Sequence, residues 1–123
     1  MEENDIVMMI KYELTNLEYM FYGCKALVNI EELKYLDIKN VTNYSHSFSF
    51  CYSLKNIEPI KFWDVKNSDN FSYMFSQCSK LNDISPLKYW NVSKCNNFFY
   101  MFYGCAALKN LKPIKFLGCY TRK

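Results

Sequence analysis

The sequence predicts a repeat solenoid of about four 27-residue coils, with short parallel strands and little helix. Three observations lead to that expectation. The hexapeptide YMFYGC at residues 19–24 returns unchanged at residues 100–105, three steps of 27 residues later. Phe21, Phe48, Phe75 and Phe102 keep the same spacing, as do Cys24, Cys51, Cys78 and Cys105, and three more apolar columns run in phase from Leu27, Ile30 and Leu33. Polar residues keep it too, in the column Asn16, Asn43, Asn70 and Asn97. Repetition at 20 to 50 residues is the signature of an array whose units bury their apolar faces only against one another.

With 123 residues, 50% of them hydrophobic and 19% aromatic, the chain has material for one packed domain and too little length for two. Residues 1–13 are expected to be an N-terminal cap or extension, 14–118 the four-repeat array and 119–123 a C-terminal tail. The unit reads F-x-x-C-x-x-L-x-x-I-x-x-[LI]-K-[YF], followed by a polar stretch. It fits neither a helical heptad nor long two-residue alternation. A turn or single helical turn is expected at YMFYGC, a short strand around residues 54–57 and their equivalents, and a second extended piece near residues 70–72. Pro59, Pro86 and Pro113 share one column just after the first strand, where a missing backbone donor marks its exit. Gly23 and Gly104 give way to Phe50 and Gln77 in the middle copies, so a left-handed backbone is not expected to be obligatory there.

The Asn column and a second one, Asn29, Asn56, Asp83 and Asn110, read as structural ladders, with side-chain amides bridging coils and satisfying turn backbone. The Cys column reads as a buried ladder of small apolar side chains. In-register thiols point the same way and suit a disulfide dihedral poorly, and no C-x-x-C pair offers zinc-ligand spacing. Cys95 and Cys119 stand outside the column. His46 replaces Tyr in the column of Tyr19, Tyr73 and Tyr100, without partners for catalysis. No phosphate loop, triad or paired-carboxylate pattern is present, so neither an enzyme nor a cofactor is expected. The N-x-[ST] sequons at Asn40, Asn43, Asn70 and Asn91 read as products of the repeat.

The run F-x-x-C-x-x-L-x-x-I, with W-[DN]-V after the leucine part, resembles the BspA-like leucine-rich-repeat surface proteins over residues 14–118. FWDVKNSDNFSYMFSQCSKL and YWNVSKCNNFFYMFYGCAAL are its best copies. The resemblance implies an LRR-like, right-handed β-solenoid with one parallel strand per repeat, a role in protein binding or adhesion, and a cell-surface location. The N-terminus opens with acids and its apolar run Ile6 to Ile10 is too short for a signal core or a membrane span, so the chain as written reads as cytoplasmic.

The net charge of +3 is small but unevenly placed. Residues 1–33 hold seven acids and two bases, whereas residues 97–123 hold five bases and no acid. Lys34, Lys61, Lys88 and Lys115 form a column in which each Lys precedes Tyr or Phe. Such a row is either a solvated stripe whose stems cover the neighbouring rings or a basic face for an acidic partner. With Lys55, Glu58, Lys109 and Lys112 it outlines the expected binding face of a non-enzymatic protein-interaction or adhesion module, for a protein partner. Two alternatives use the same charges: head-to-tail self-assembly of an acidic first coil on a basic last one, or binding of an anionic polymer. Nucleic acid is the weaker version of the latter, because Glu31, Glu58 and Asp64 interrupt the basic stripe.

Overall fold

The structure is a computed structural model and describes residues 14–110. Its organising feature is a run of three consecutive turns in each repeat. In the first, the N–H groups of Met20, Tyr22 and Cys24 donate to the carbonyls of Leu17, Tyr19 and Phe21. The same three bonds recur from Tyr44, from Phe71 and from Phe98. The residues between them donate outward, to the following repeat: Leu17, Tyr19, Phe21 and Gly23 to Asn43, Ser45, Ser47 and Ser49, at 2.8–3.1 Å. Tyr44, His46, Phe48 and Phe50 repeat the pattern, and Phe71, Tyr73, Phe75 and Gln77 repeat it again. Alternate donors thus close the turns and link the repeats, so backbone groups buried at this corner are paired.

Such a chain of turns needs a left-handed residue at the third position of its first and last members, the pattern of a type II turn. Tyr19, His46, Tyr73 and Tyr100 have φ of 52–59°, and Gly23, Phe50, Gln77 and Gly104 have φ of 63–76°. The sequence expectation that positive φ is not obligatory there is therefore corrected. Phe50 and Gln77 adopt it at a cost of roughly 1–2 kcal/mol each, held by bonds from their N–H groups to Ser76 and Tyr103.

The short strand expected at residues 54–57 does not form, and among the described residues the only β pairing is two isolated parallel bridges, Asn16 with Asn43 and Asn43 with Asn70. The cause is a three-residue cadence. Cys51, Leu54, Ile57 and Ile60 are all buried, whereas a strand would bury every second residue. Their amides also turn back on the chain, Leu54 to Cys51 and Ile60 to Ile57. Short 3₁₀ helices follow at Glu31–Tyr35, Glu58–Ile60 and Ser85–Tyr89. Asn29, Asn56 and Asp83 each accept the N–H two residues on, at 2.8–2.9 Å, and so tie down the entry to these helices. Pro59 and Pro86 sit in their first turn, where a missing N–H costs nothing. Pro113 lies outside the described residues.

Side chains stack in register inside. Phe21, Phe48, Phe75 and Phe102 lie with ring centroids 5.1–5.8 Å apart and planes within 12°. Tyr44, Phe71 and Phe98 form a second stack at 5.3–5.6 Å, and Trp63 lies over Trp90 at 6.5 Å. Each indole N–H donates to a carbonyl thirty residues earlier, Trp63 to Leu33 at 2.9 Å and Trp90 to Ile60 at 3.0 Å. The thiols do the same: Cys51, Cys78 and Cys105 reach Phe21, Phe48 and Phe75 at 3.0–3.1 Å. They are thus hydrogen-bonding rungs as well as the small apolar fillers the sequence suggested.

The amides of Asn16, Asn43, Asn70 and Asn97 do not bridge repeats. Each Oδ1 accepts the N–H two residues on, at 2.7–3.2 Å, preparing the first turn of its own repeat. At this corner the stacked turns already place N–H against carbonyl, so the backbone does most of the bridging, joined by the thiols and the Ser47 and Ser49 hydroxyls.

Two outcomes follow. Trp63→Phe keeps an aromatic ring but removes the indole donor, leaving the Leu33 carbonyl with the Leu36 N–H alone, and is expected to cost about 0.5–1.5 kcal/mol in denaturant melts. Burial holds the Cys51 and Cys105 thiols up at about 12 and raises Cys78 as well, so these three should react with a thiol reagent at pH 8 only on unfolding. Half-buried Cys24 and Cys95 should react in the folded chain.

Candidate functional site

A Lys and an aromatic residue stand side by side at the same point of three repeats, Lys34–Tyr35 and Lys88–Tyr89 ending their 3₁₀ helices and Lys61–Phe62 directly following theirs. Inward Leu33, Ile60 and Leu87 are buried, which turns the next two residues to the surface. Lys34 lies 5.1 Å from the Tyr35 ring centroid, Lys61 5.1 Å from that of Phe62 and Lys88 5.3 Å from that of Tyr89. These are cation–π distances. Phe62 is 75% exposed, Tyr35 64% and Tyr89 54%, and the Phe62 and Tyr89 rings meet edge to face at 5.4 Å. The rings therefore form a stripe of exposed apolar surface edged by ammonium groups.

Carboxylates punctuate it. Glu31 pairs with Lys34 within one 3₁₀ helix, and Glu58 pairs with Lys61, which caps the end of the second, each carboxylate three residues earlier. Those hydrogen bonds hold both ammonium groups above the usual Lys range. A shallow groove of about 500 Å³ runs between them, lined by Glu31, Lys34, Tyr35, Glu58, Phe62 and Trp63 among others. Lys55 lines a neighbouring groove with Glu58, Asp83 and Pro86. The structure thus brings together Lys34, Lys55, Glu58, Lys61 and Lys88 of the predicted face. Lys109 is exposed, with no described contact to the grooves. Lys112 and Lys115 lie outside the described residues, as does Cys119.

A second aromatic row runs along the turns. His46 is stacked between Tyr19 at 4.4 Å and Tyr73 at 4.6 Å, both with planes 8° apart. Tyr22, Phe99 and Tyr103 flank this row, about half exposed. Sequence reasoning saw the His46 column as a substitution pattern and missed the stack. The left-handed φ throws these rings outward, and positive φ is not readable from Tyr or His. Burial lowers the His46 pKa against an opposing pull from Glu18, and its Nδ1 has no partner. Among the described residues no group of three or more His, Cys, Asp and Glu side chains is gathered to hold a metal ion, and no helix is long and apolar enough to cross a membrane.

Residues 12–115 match the model of a family described as Mycoplasma protein of unknown function, DUF285, and the chain belongs to that family. No curated protein and no solved structure matches it.

The His46 environment has a pH consequence. A His whose folded pKa is lowered binds its proton more weakly folded than unfolded, so stability is full above the unfolded value near 6.5 and falls as pH drops through the folded one. Thermal melts between pH 7.5 and 5 should show that loss, and His46→Tyr, which restores the residue of the neighbouring repeats, should flatten it.

Proposed function

We propose that this chain is a non-enzymatic protein-binding module: an LRR-like solenoid that presents the Lys–aromatic stripe to a protein partner. The observation behind the reading is the recurrence of one exposed construction, ammonium beside ring, at Lys34–Tyr35, Lys61–Phe62 and Lys88–Tyr89. Apolar rings left in water cost free energy that a partner recovers, and aromatic residues lead the energetics of interfaces. The stacking of repeats through i to i+26 hydrogen bonds supports the solenoid reading, and the cadence F-x-x-C-x-x-L supports kinship with BspA-like repeats. Among the described residues, parallel pairing between repeats is limited to the isolated bridges Asn16 with Asn43 and Asn43 with Asn70. An adhesion role uses the same face.

The test is capture of partners from the native cells on immobilised protein. The triple variant Tyr35→Ser, Phe62→Ser, Tyr89→Ser should melt within about 1.5 kcal/mol of wild type, as three exposed substitutions do, and should lose a protein that wild type retains. Retention of the same proteins by both would sink the proposal.

A further inference from the structure

Three repeats build the stripe, but only two complete it. In the first two, a carboxylate three residues upstream holds the Lys: Glu31 on Lys34 and Glu58 on Lys61. In the third, Ser85 stands where that carboxylate would be, and among the described residues Lys88 forms no ion pair. Lys88 nevertheless keeps the same pose, 5.3 Å from the Tyr89 centroid against 5.1 Å in the other repeats. The nearby Asp83 carboxylate accepts the Ser85 N–H at 2.9 Å, and this bond, with a smaller pull from the Lys88 charge, holds its pKa below the usual carboxylate range without bringing it into contact with Lys88. Beside Lys88, Tyr89 touches Phe62, the most exposed large apolar side chain described.

We infer that the third repeat is a receptor for a carboxylate supplied by the partner, and that the partner segment is a short acidic stretch of protein with an apolar side chain next to its Asp or Glu. The protein's own Glu31 and Glu58 show which group fits beside this Lys–ring pair. Lys88 is held ready without one. An acidic segment would place its carboxylate on Lys88 and its apolar neighbour on Phe62 and Tyr89, desolvating the ammonium and strengthening the pair. Carboxylate is favoured over a long polyphosphate because Glu31 and Glu58 lie along the stripe and repel a continuous polyanion. This inference rests on the reading of the stripe as the binding face.

The experiment uses fluorescence anisotropy at low ionic strength with a labelled octapeptide of Glu containing one central Phe, its Gln counterpart and a twelve-residue oligothymidylate. The Glu peptide is expected to bind wild type and the Gln peptide not. Ser85→Glu, which installs the internal carboxylate already present in two repeats, should weaken binding roughly fivefold or more, and Glu58→Ser, which opens a second receptor, should strengthen it. Lys88→Ser gives the same loss by another route, should Ser85→Glu fail to fold. Equal binding of the Glu and Gln peptides, indifference to both Ser85→Glu and Lys88→Ser, or preference for oligothymidylate would overturn the inference. If the Tyr35, Phe62, Tyr89 variant loses a native partner that Ser85→Glu still retains, the face stands and the acidic partner falls.

Discussion

The structure depends on how backbone donors are divided at the turn corner. Each amide there has one hydrogen to give, and alternate residues give it to different places, one to the carbonyl three residues back and the next to the following repeat. That division forces the chain to return in register every 27 residues, because a slip of one would send the outward donors into the turn and the turn donors into empty space. Register in turn brings like residues face to face. The Phe stack, the Tyr44–Phe71–Phe98 stack and the Trp63–Trp90 pair are consequences of that spacing, with ring separations near 5–6.5 Å set by the backbone step.

The period and the inward columns were legible because burial demands apolar residues, and those repeat visibly. The corner geometry was not. Left-handed φ is announced by Gly, and at Phe50 and Gln77 that signal is absent although the conformation persists. Neighbouring repeats impose it through hydrogen bonds that no single copy reveals. The strand expected at residues 54–57 failed for a reason the sequence did contain: a step of three between buried residues suits 3₁₀ and β-turn bonding, not the two-residue pleat. The Asn columns were expected to bridge coils, but their short side chains favour the local Asx bond over a reach to the next repeat.

The candidate site was legible in part. Lys34, Lys61 and Lys88 stood out as a column, and the aromatic residue after each was visible beside them. Their conversion into a single surface required the 3₁₀ turns, which bury a Leu or Ile and leave the next two residues outward, whether inside the helix or just past its end. The difference among the three was also written in the sequence, as Glu31, Glu58 and Ser85. Its meaning emerged only when the first two were found on their lysines, which made the third conspicuous by contrast.

The donors that reach back thirty residues have a consequence for how such a chain can change length. Cys51 and Trp63 satisfy carbonyls of the repeat before their own, while the carbonyls of Phe48 and Ile60 are satisfied by Cys78 and Trp90 of the repeat after. The repeat of Cys51 and Trp63 therefore imports one set of bonds and exports an identical set. Inserting a second copy of this whole period breaks one seam and makes two, each chemically the same as the one lost. Duplication by recombination leaves no orphaned polar group in the interior, so the length of the array is free to drift by whole units while the composition of each unit is held fixed by its neighbours. Partly exposed positions such as Ser85, bound by no such exchange, are where individual repeats are free to diverge.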